Sequence, residues 1–183
     1  MIRSSSALGL VTACLVLLAS AGTVSAGEGS KVDAAAAFEQ LKGMAGTWVG
    51  TAEGEGEAEG KNHADSGVKM VFEVSAAGTV VKETMMPGTE HEMINMYHMD
   101  GEDLVLTHYC AGGNQPTMKL DRSHHGALKF DFTGGTNLDP AVDGHIHAAR
   151  LTFHEGGTVE SQWTPYAGGK PAGSMSFTLT RQE

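Results

Sequence analysis

Two neighbouring stretches of the sequence concentrate side chains that can bind a ligand or a metal: "HEMINMYHM" (residues 91–99) and "LTHYC" (residues 106–110). They combine imidazole, thiol, amide and phenol groups, and imidazole and thiolate are ligands that suit zinc and copper. Asp100 and Gly101 form a typical turn pair, so residues 91–99 and 104–110 are predicted to form a β-hairpin. The chemistry then depends on which side chains share a face.

The predicted hairpin places most of these polar groups on one face. With a two-residue or four-residue loop, odd positions of the first strand face even positions of the second. One face then carries His91, Met93, Asn95, Tyr97, Leu104, Leu106, His108 and Cys110. The leucines favour this face as the interior one, since the other face would have to bury the charge of Glu92. Buried polar groups cost about 1–3 kcal/mol each when unpaired, so this lining implies mutual hydrogen bonds, water, a ligand or a metal.

A third predicted strand, "HIHAARLTF" (residues 145–153), adds histidines to the same interior. His147 shares its strand face with Leu151 and Phe153, so it points inward if they do. The candidate metal ligands are His91, His108, Cys110 and His147. No C-x-x-C or H-E-x-x-H spacing supports this set, so metal binding is an alternative to an organic ligand and the cofactor is unspecified.

An all-β scaffold is expected to hold these side chains. One helix is predicted over residues 33–44, with Asp33 as its N-cap. From residue 47 to residue 181, short alternating runs separated by glycine-rich turns predict about ten strands. Such strands are expected to close into an antiparallel up-and-down barrel, because closure removes exposed edges.

The N-terminal sequence predicts export. Residues 1–26 contain one charge, Arg3, then an apolar run too short to span a membrane and a small-residue cleavage site, as in a secretory signal peptide. Residues 27–183 would then be a single periplasmic or secreted domain. The formal net charge of −10 disfavours nucleic acid and anionic membranes as partners. Cys14 would leave with the signal peptide, so Cys110 would be the only cysteine and, if exposed, would permit a homodimer.

Known catalytic motifs are missing from the sequence. It has no G-x-S-x-G, no phosphate-binding loop and no dinucleotide fingerprint. Cys110 and His108 lie two residues apart on one strand face, slightly too far for a direct thiol–imidazole hydrogen bond. The sequence therefore favours a binding protein over an enzyme, and no catalytic residue is assigned.

Three residues, Gly46, Trp48 and Arg181, carry a family resemblance. Gly46-Thr47-Trp48 opens the first predicted strand, and Arg181 lies near the end of the last. This pattern resembles the lipocalins and other calycins, and the resemblance implies that Trp48 packs under Arg181 in a structural cation–π contact at the barrel base. The stretch "LKGMAGTWVGTAEGEG" (residues 41–56) also resembles the opening of nitrobindin-type, ten-stranded haem-binding barrels.

A longer resemblance covers most of the chain after the signal peptide. The run from "HEMINMYHMDGEDLVLTHYCAGGNQP" through "FDFTGGTNLDPAVDGHIH" is similar to exported bacterial lipocalin-like proteins of unassigned function. The nitrobindin-type resemblance implies haem held by a histidine on the late strand, but here that strand, "GSMSFTLTR" (residues 173–181), contains none. Four functions stay open: a barrel that binds a small molecule, an envelope protein that binds zinc or copper through His, Cys and Met, a haem-binding nitrobindin-like barrel, and a barrel filled by its own side chains.

Overall fold

The computed structural model describes Met1 and residues 32–55, 67–122 and 126–183. Residues 2–26 of the predicted signal peptide lie outside the described residues. Within the described residues the chain forms one α-helix, α1 (Ala34–Lys42), which is too short to span a membrane. The strands are β1 (Gly46–Glu55), β2 (Val68–Ser75), β3 (Val80–Met85), β4 (Met93–Asp100), β5 (Asp103–Tyr109), β6 (Gln115–Leu120), β7 (Leu128–Thr136), β8 (His145–Phe153), β9 (Val159–Ala167), β10 (Lys170–Pro171) and β11 (Ser174–Arg181).

The strands form a closed barrel. Each strand from β1 to β9 pairs antiparallel with the next, β9 pairs with β11, and β11 returns to β1. The two-residue β10 pairs with the end of β9, beyond the part of β9 that pairs with β11. The prediction of a ten-stranded antiparallel up-and-down barrel with one helix is confirmed, and the arrangement is consistent with a calycin-like fold.

Helix α1 covers the end of the barrel at which β1 begins, here called the helix end. Asp33 caps the helix through its carboxylate, which accepts a hydrogen bond from the backbone N–H of Ala35 at 2.9 Å. Phe38 and Leu41 are buried, and the helix packs on β4 and β5. The opposite end, here called the loop end, carries the connections at residues 86–92, 110–114 and 137–144.

Trp48 and Arg181 meet at the helix end. The guanidinium carbon of Arg181 lies 4.7 Å from the centroid of the Trp48 ring, and the Trp48 indole N–H donates to the carbonyl of Met44 at 2.7 Å. Arg181 Nη2 also donates to the carbonyl of Gly43 at 2.6 Å. Gly46 has φ of 130°, and a Cβ there would lie 2.8 Å from Arg181 Nη1. The glycine of the G-x-W motif therefore leaves room for the arginine.

The barrel interior is mainly apolar. Its fully buried side chains include Met70, Phe72, Leu104, Leu106, Met118, Phe130, Leu151, Phe177 and Leu179. Close packing of this kind makes each buried polar group conspicuous, because such a group needs a hydrogen-bond partner. The buried polar side chains in the described part of the chain are Glu83, Asn95, His108, Asn114, His145 and Ser161.

Candidate functional site

The β4–β5 hairpin has the predicted register. Asn95 lies opposite His108 and Tyr97 lies opposite Leu106, across a two-residue loop at residues 101–102. All four side chains are buried, so the predicted interior face is the interior one. Three of the predicted lining residues, Asn95, Tyr97 and His108, are therefore held together inside the barrel on rigid strands.

Two other predicted lining residues lie outside this interior group. Strand β4 begins at Met93, two residues later than predicted, and His91 falls in the preceding turn with 54% of its side chain exposed. Cys110 follows the end of β5 and is half-buried, and its sulfur accepts a hydrogen bond from the backbone N–H of Gly112 at 3.4 Å. The loop end, and not the barrel interior, holds both side chains.

A buried carboxyl group joins the three interior residues. Glu83 lies opposite Asn95 on β3, and its Oε2 accepts hydrogen bonds from Asn95 Nδ2 at 2.8 Å and from the Tyr97 hydroxyl at 2.7 Å. Asn95 Oδ1 lies 2.7 Å from His108 Nδ1. Because the amide nitrogen of Asn95 donates to Glu83, its oxygen must accept, which places the proton of neutral His108 on Nδ1. Glu83, Asn95, Tyr97 and His108 are called the interior network below.

The interior network reaches across the barrel. The ring centroids of His108 and Trp163 lie 5.4 Å apart, and Trp163 is on β9, on the far side of the barrel. The Trp163 indole N–H donates to the hydroxyl of Ser161 at 2.9 Å. Tyr97 packs edge-on against Phe130 with a centroid separation of 5.8 Å. Aromatic rings therefore pack against the network at His108 and at Tyr97.

Two atoms of the interior network have no hydrogen-bond partner among the described residues. They are Glu83 Oε1 and His108 Nε2, at the two ends of the network, and both are inaccessible to solvent. Leaving such an atom buried and unpaired costs about 1–3 kcal/mol. Native proteins rarely retain this cost without a structural or functional reason, so the two atoms mark the network as the candidate site.

Burial changes the protonation chemistry of the interior network. It raises the pKa of the Glu83 carboxyl to about 7, although the hydrogen bonds from Tyr97 and Asn95 oppose this shift. Burial also lowers the pKa of His108 to about 4. Burial, followed by the charge of the Glu83 carboxylate, raises the pKa of Tyr97 well above its usual value. At neutral pH His108 is therefore neutral with a lone pair on Nε2, and Glu83 is close to the midpoint of its titration.

A second histidine cluster lies at the loop end. His145 Nδ1–H donates to the carbonyl of Asp143 at 3.0 Å, so His145 Nε2 accepts from His147 Nδ1–H at 3.0 Å. The His147 ring lies between Phe132 and Tyr166, with centroid separations of 4.8 Å and 3.8 Å. Burial, and then the neighbouring imidazole of His145, lower the pKa of His147. His147 therefore belongs to a cluster separate from the interior network.

The four predicted metal ligands do not form one group. His108 is in the interior network, His147 pairs with His145, and His91 and Cys110 lie in loop-end connections. Within the described ranges there is no group of three or more His, Cys, Asp or Glu side chains that could hold a metal ion.

Sequence reasoning missed the acid at the centre of the network. Glu83 alternates with Val81 and Met85 in "VVKETM" (residues 80–85), and both apolar neighbours are buried. Strand alternation alone would have placed Glu83 inside, but a charged residue is ordinarily assigned to the solvent side. Ser161 and Trp163 were also missed, and they share their strand face with buried Val159.

Comparison with known proteins identifies no family for this chain. The chain matches no protein-family model, and no curated protein is significantly similar to it. Because a barrel can host many functions, the function has to be argued from the interior network.

Proposed function

We propose that this protein is an exported, lipocalin-like barrel that binds a small organic molecule in its interior. The observation that carries the proposal is the pair of buried, unpartnered atoms Glu83 Oε1 and His108 Nε2. In ligand-binding barrels, apolar side chains supply affinity and a few polar groups fix orientation. The interior network supplies those polar groups.

The network prepares His108 to accept a hydrogen bond from a ligand. Asn95 fixes both the orientation and the tautomer of the imidazole, because its oxygen takes the Nδ1 proton. Burial keeps the ring neutral, so Nε2 retains its lone pair at physiological pH. A group held in advance in this way loses little conformational entropy when the ligand binds.

The remaining predicted lining residues have an outer role in this proposal. His91, Cys110 and His147 lie at the loop end, where the longer connections gather. A ligand that enters the barrel there would pass these side chains before it reaches Asn95 and His108. Their substitution is expected to change the rates of ligand entry and release more than the equilibrium affinity.

Zinc or copper is the second candidate ligand, and one observation favours it. A histidine that binds a metal through one nitrogen usually has its other nitrogen fixed by a hydrogen bond, and His108 has this arrangement. Haem fits less well. His108 is only 1% exposed and the Trp163 ring is 5.4 Å from it, which leaves no room for a porphyrin between these two rings.

The test is to identify what the protein carries after export. The full chain is produced in an export-competent bacterial host, purified without chelator, and measured by native mass spectrometry and absorption spectroscopy. We expect a polypeptide cleaved after residue 26 with an additional organic mass. His108→Ala should lose that mass while retaining the circular dichroism of a barrel.

A matched variant separates the site from a general effect of removing an imidazole. His98 lies on β4 at a half-buried position outside the interior network, so His98→Ala should keep the organic mass. A zinc or copper mass lost in His108→Ala would favour the second candidate, and a Soret band would favour haem. A bare polypeptide mass, with His108→Ala changing only stability, would refute ligand binding and favour the self-filled barrel.

A further inference from the structure

Among the described residues, the barrel interior contains a carboxylic acid but no Lys or Arg side chain to neutralise it. Glu83 is the only Asp, Glu, Lys or Arg side chain among the buried residues of the described ranges. His108 does not serve as a cation, because burial lowers its pKa to about 4. An ionised Glu83 is therefore a buried negative charge stabilised only by two hydrogen bonds, from Asn95 and Tyr97.

The unpartnered atoms favour a ligand that donates hydrogen bonds. His108 Nε2 is an acceptor in the tautomer that Asn95 imposes, and Glu83 Oε1 is an acceptor whenever the carboxyl group is ionised. An anionic ligand, such as a fatty acid, would place its own lone pairs against both acceptors. A cationic N–H group would satisfy either acceptor.

We propose that the interior site binds a small organic cation, a protonated alkylamine whose ammonium group pairs with the Glu83 carboxylate. This inference rests on the proposed function, because it names the class of ligand for the same site. The ammonium group supplies the charge that Glu83 lacks, in a low-dielectric interior where the attraction is strong. Tyr97 belongs to the network, and Phe130 and Trp163 pack against Tyr97 and His108, so aromatic rings that can interact with a cation border the site.

The affinity for an amine should depend on pH in a defined direction. The ammonium group pairs with the ionised form of Glu83, so affinity should rise as pH increases through about 7, where Glu83 titrates. The other titratable groups of the network are Tyr97 and His108, and both stay neutral between pH 6 and pH 8. Since a tenfold change in the ionised fraction accompanies this interval, we expect the dissociation constant to fall about tenfold from pH 6 to pH 8.

The experiment compares three probes of similar shape. Isothermal titration calorimetry at pH 8 measures the binding of n-butylammonium, butan-1-ol and butyrate to the processed protein, freed of carried ligand by dialysis. A series from methylammonium to hexylammonium tests which alkyl chain length the barrel interior accepts. We expect the best ammonium to bind at least about tenfold tighter than its alcohol, with no binding of the carboxylate.

Variants assign the preference to Glu83. Glu83→Gln keeps the shape of the side chain and removes its charge, so it should abolish the preference for ammonium over alcohol. The exposed Glu73 provides the matched control, since Glu73→Gln makes the same charge change and should leave the preference intact. If Glu83→Gln does not fold, Tyr97→Phe replaces it. That variant removes a hydrogen bond that lowers the pKa of Glu83, so the pH midpoint of amine binding should move upward.

The outcomes distinguish this inference from the proposed function. Equal binding of alcohol and ammonium, tighter binding of butyrate, an unchanged pH midpoint in Tyr97→Phe, or a carried ligand that is neutral or acidic would overturn the inference and leave ligand binding intact. A bare native mass together with no binding of any probe would overturn both.

Discussion

Glu83 should make the stability of the barrel fall as pH rises. Burial raises the pKa of its carboxyl from the ordinary value of 4.5 to about 7, so the folded state binds the proton more tightly than the unfolded state does. The contribution of Glu83 to the free energy of unfolding is fully present below about pH 4.5 and is lost as pH rises to about 7. A shift of this size corresponds to about 3 kcal/mol.

His108 should give the free energy of unfolding the opposite dependence on pH. Burial lowers its pKa from 6.5 to about 4, so the unfolded state takes up the proton first as pH falls. Its contribution to stability is fully present above about pH 6.5 and is lost as pH falls to about 4, again by about 3 kcal/mol. Between pH 4.5 and pH 6.5 the two slopes nearly cancel in the wild-type protein.

In Glu83→Gln, the pH dependence of the free energy of unfolding that His108 causes should become measurable. The amide keeps the side-chain shape and the accepting oxygen but no longer titrates, so stability should rise from about pH 4 to pH 6.5. The difference in free energy of unfolding, variant minus wild type, should grow by about 3 kcal/mol between pH 4.5 and pH 7.5. Urea unfolding followed by tryptophan fluorescence measures this difference at each pH, and the contributions of groups outside the network cancel in it.

Two further variants serve as comparisons for Glu83→Gln. His108→Gln should show the reverse pattern, with stability falling between pH 4.5 and pH 7. The exposed control Glu73→Gln, which removes a surface carboxylate paired with Lys82, should not reproduce the growth of about 3 kcal/mol. If the Glu83→Gln difference stays constant within about 0.5 kcal/mol, Glu83 does not titrate with a raised pKa and the charge argument for the interior network is wrong.

Two other predictions concern the closure of the barrel around β1 and β11. Arg181→Ala removes the cation on Trp48 and its backbone hydrogen bonds, so the free energy of unfolding should fall by about 1–3 kcal/mol and the tryptophan emission should shift; an unchanged urea midpoint would contradict this. Gly50→Ala would place a Cβ 1.8 Å from the carbonyl oxygen of Thr178, whereas Gly54→Ala meets its nearest atom at 3.5 Å. Gly50→Ala should lower the free energy of unfolding, measured in urea, by more than about 3 kcal/mol or prevent folding, whereas Gly54→Ala should stay near wild type. Equal stabilities of the two variants would contradict the close approach of β1 to β11.

The barrel and the hairpin register could be predicted because both follow from local rules. Alternating side chains set the strand faces, and the Asp100-Gly101 pair set the turn. The structure has the two-residue loop that places Asn95 opposite His108. Three interior residues of the site were therefore identifiable from the sequence.

The start of β4 depends on turn chemistry that alternation does not describe. The Glu92 carboxylate accepts a hydrogen bond from the backbone N–H of Gly88 at 2.6 Å, and Thr89 Oγ1 donates to the carbonyl of Met86 at 2.9 Å. These bonds hold residues 86–92 in a turn and delay the strand to Met93. His91 is consequently exposed.

A bulge at His147 interrupts the inward–outward alternation of side chains along β8. The register between β8 and β9 shifts between Ile146 and Ala148, so His147 has no partner in the ladder. Its ring then stacks between Phe132 and Tyr166 instead of joining His108. An inserted residue of this kind has no reliable mark in a single sequence, so the three-strand metal set could not be tested before the structure.

The direction of the hydrogen bonds is the reason why we propose a ligand that carries hydrogen-bond donors. His108 donates to Asn95, and Asn95 donates to Glu83, so each bond in the chain points toward the carboxyl group. Donation from Nδ1 makes the opposite nitrogen of His108 a stronger acceptor, and bonds in such a chain reinforce one another. When Glu83 is ionised, both free ends of the network are therefore hydrogen-bond acceptors. Apolar residues of similar volume often stabilise an interior as well as buried polar groups do, so stability alone gives no reason for the network, whereas the proposed donor ligand would.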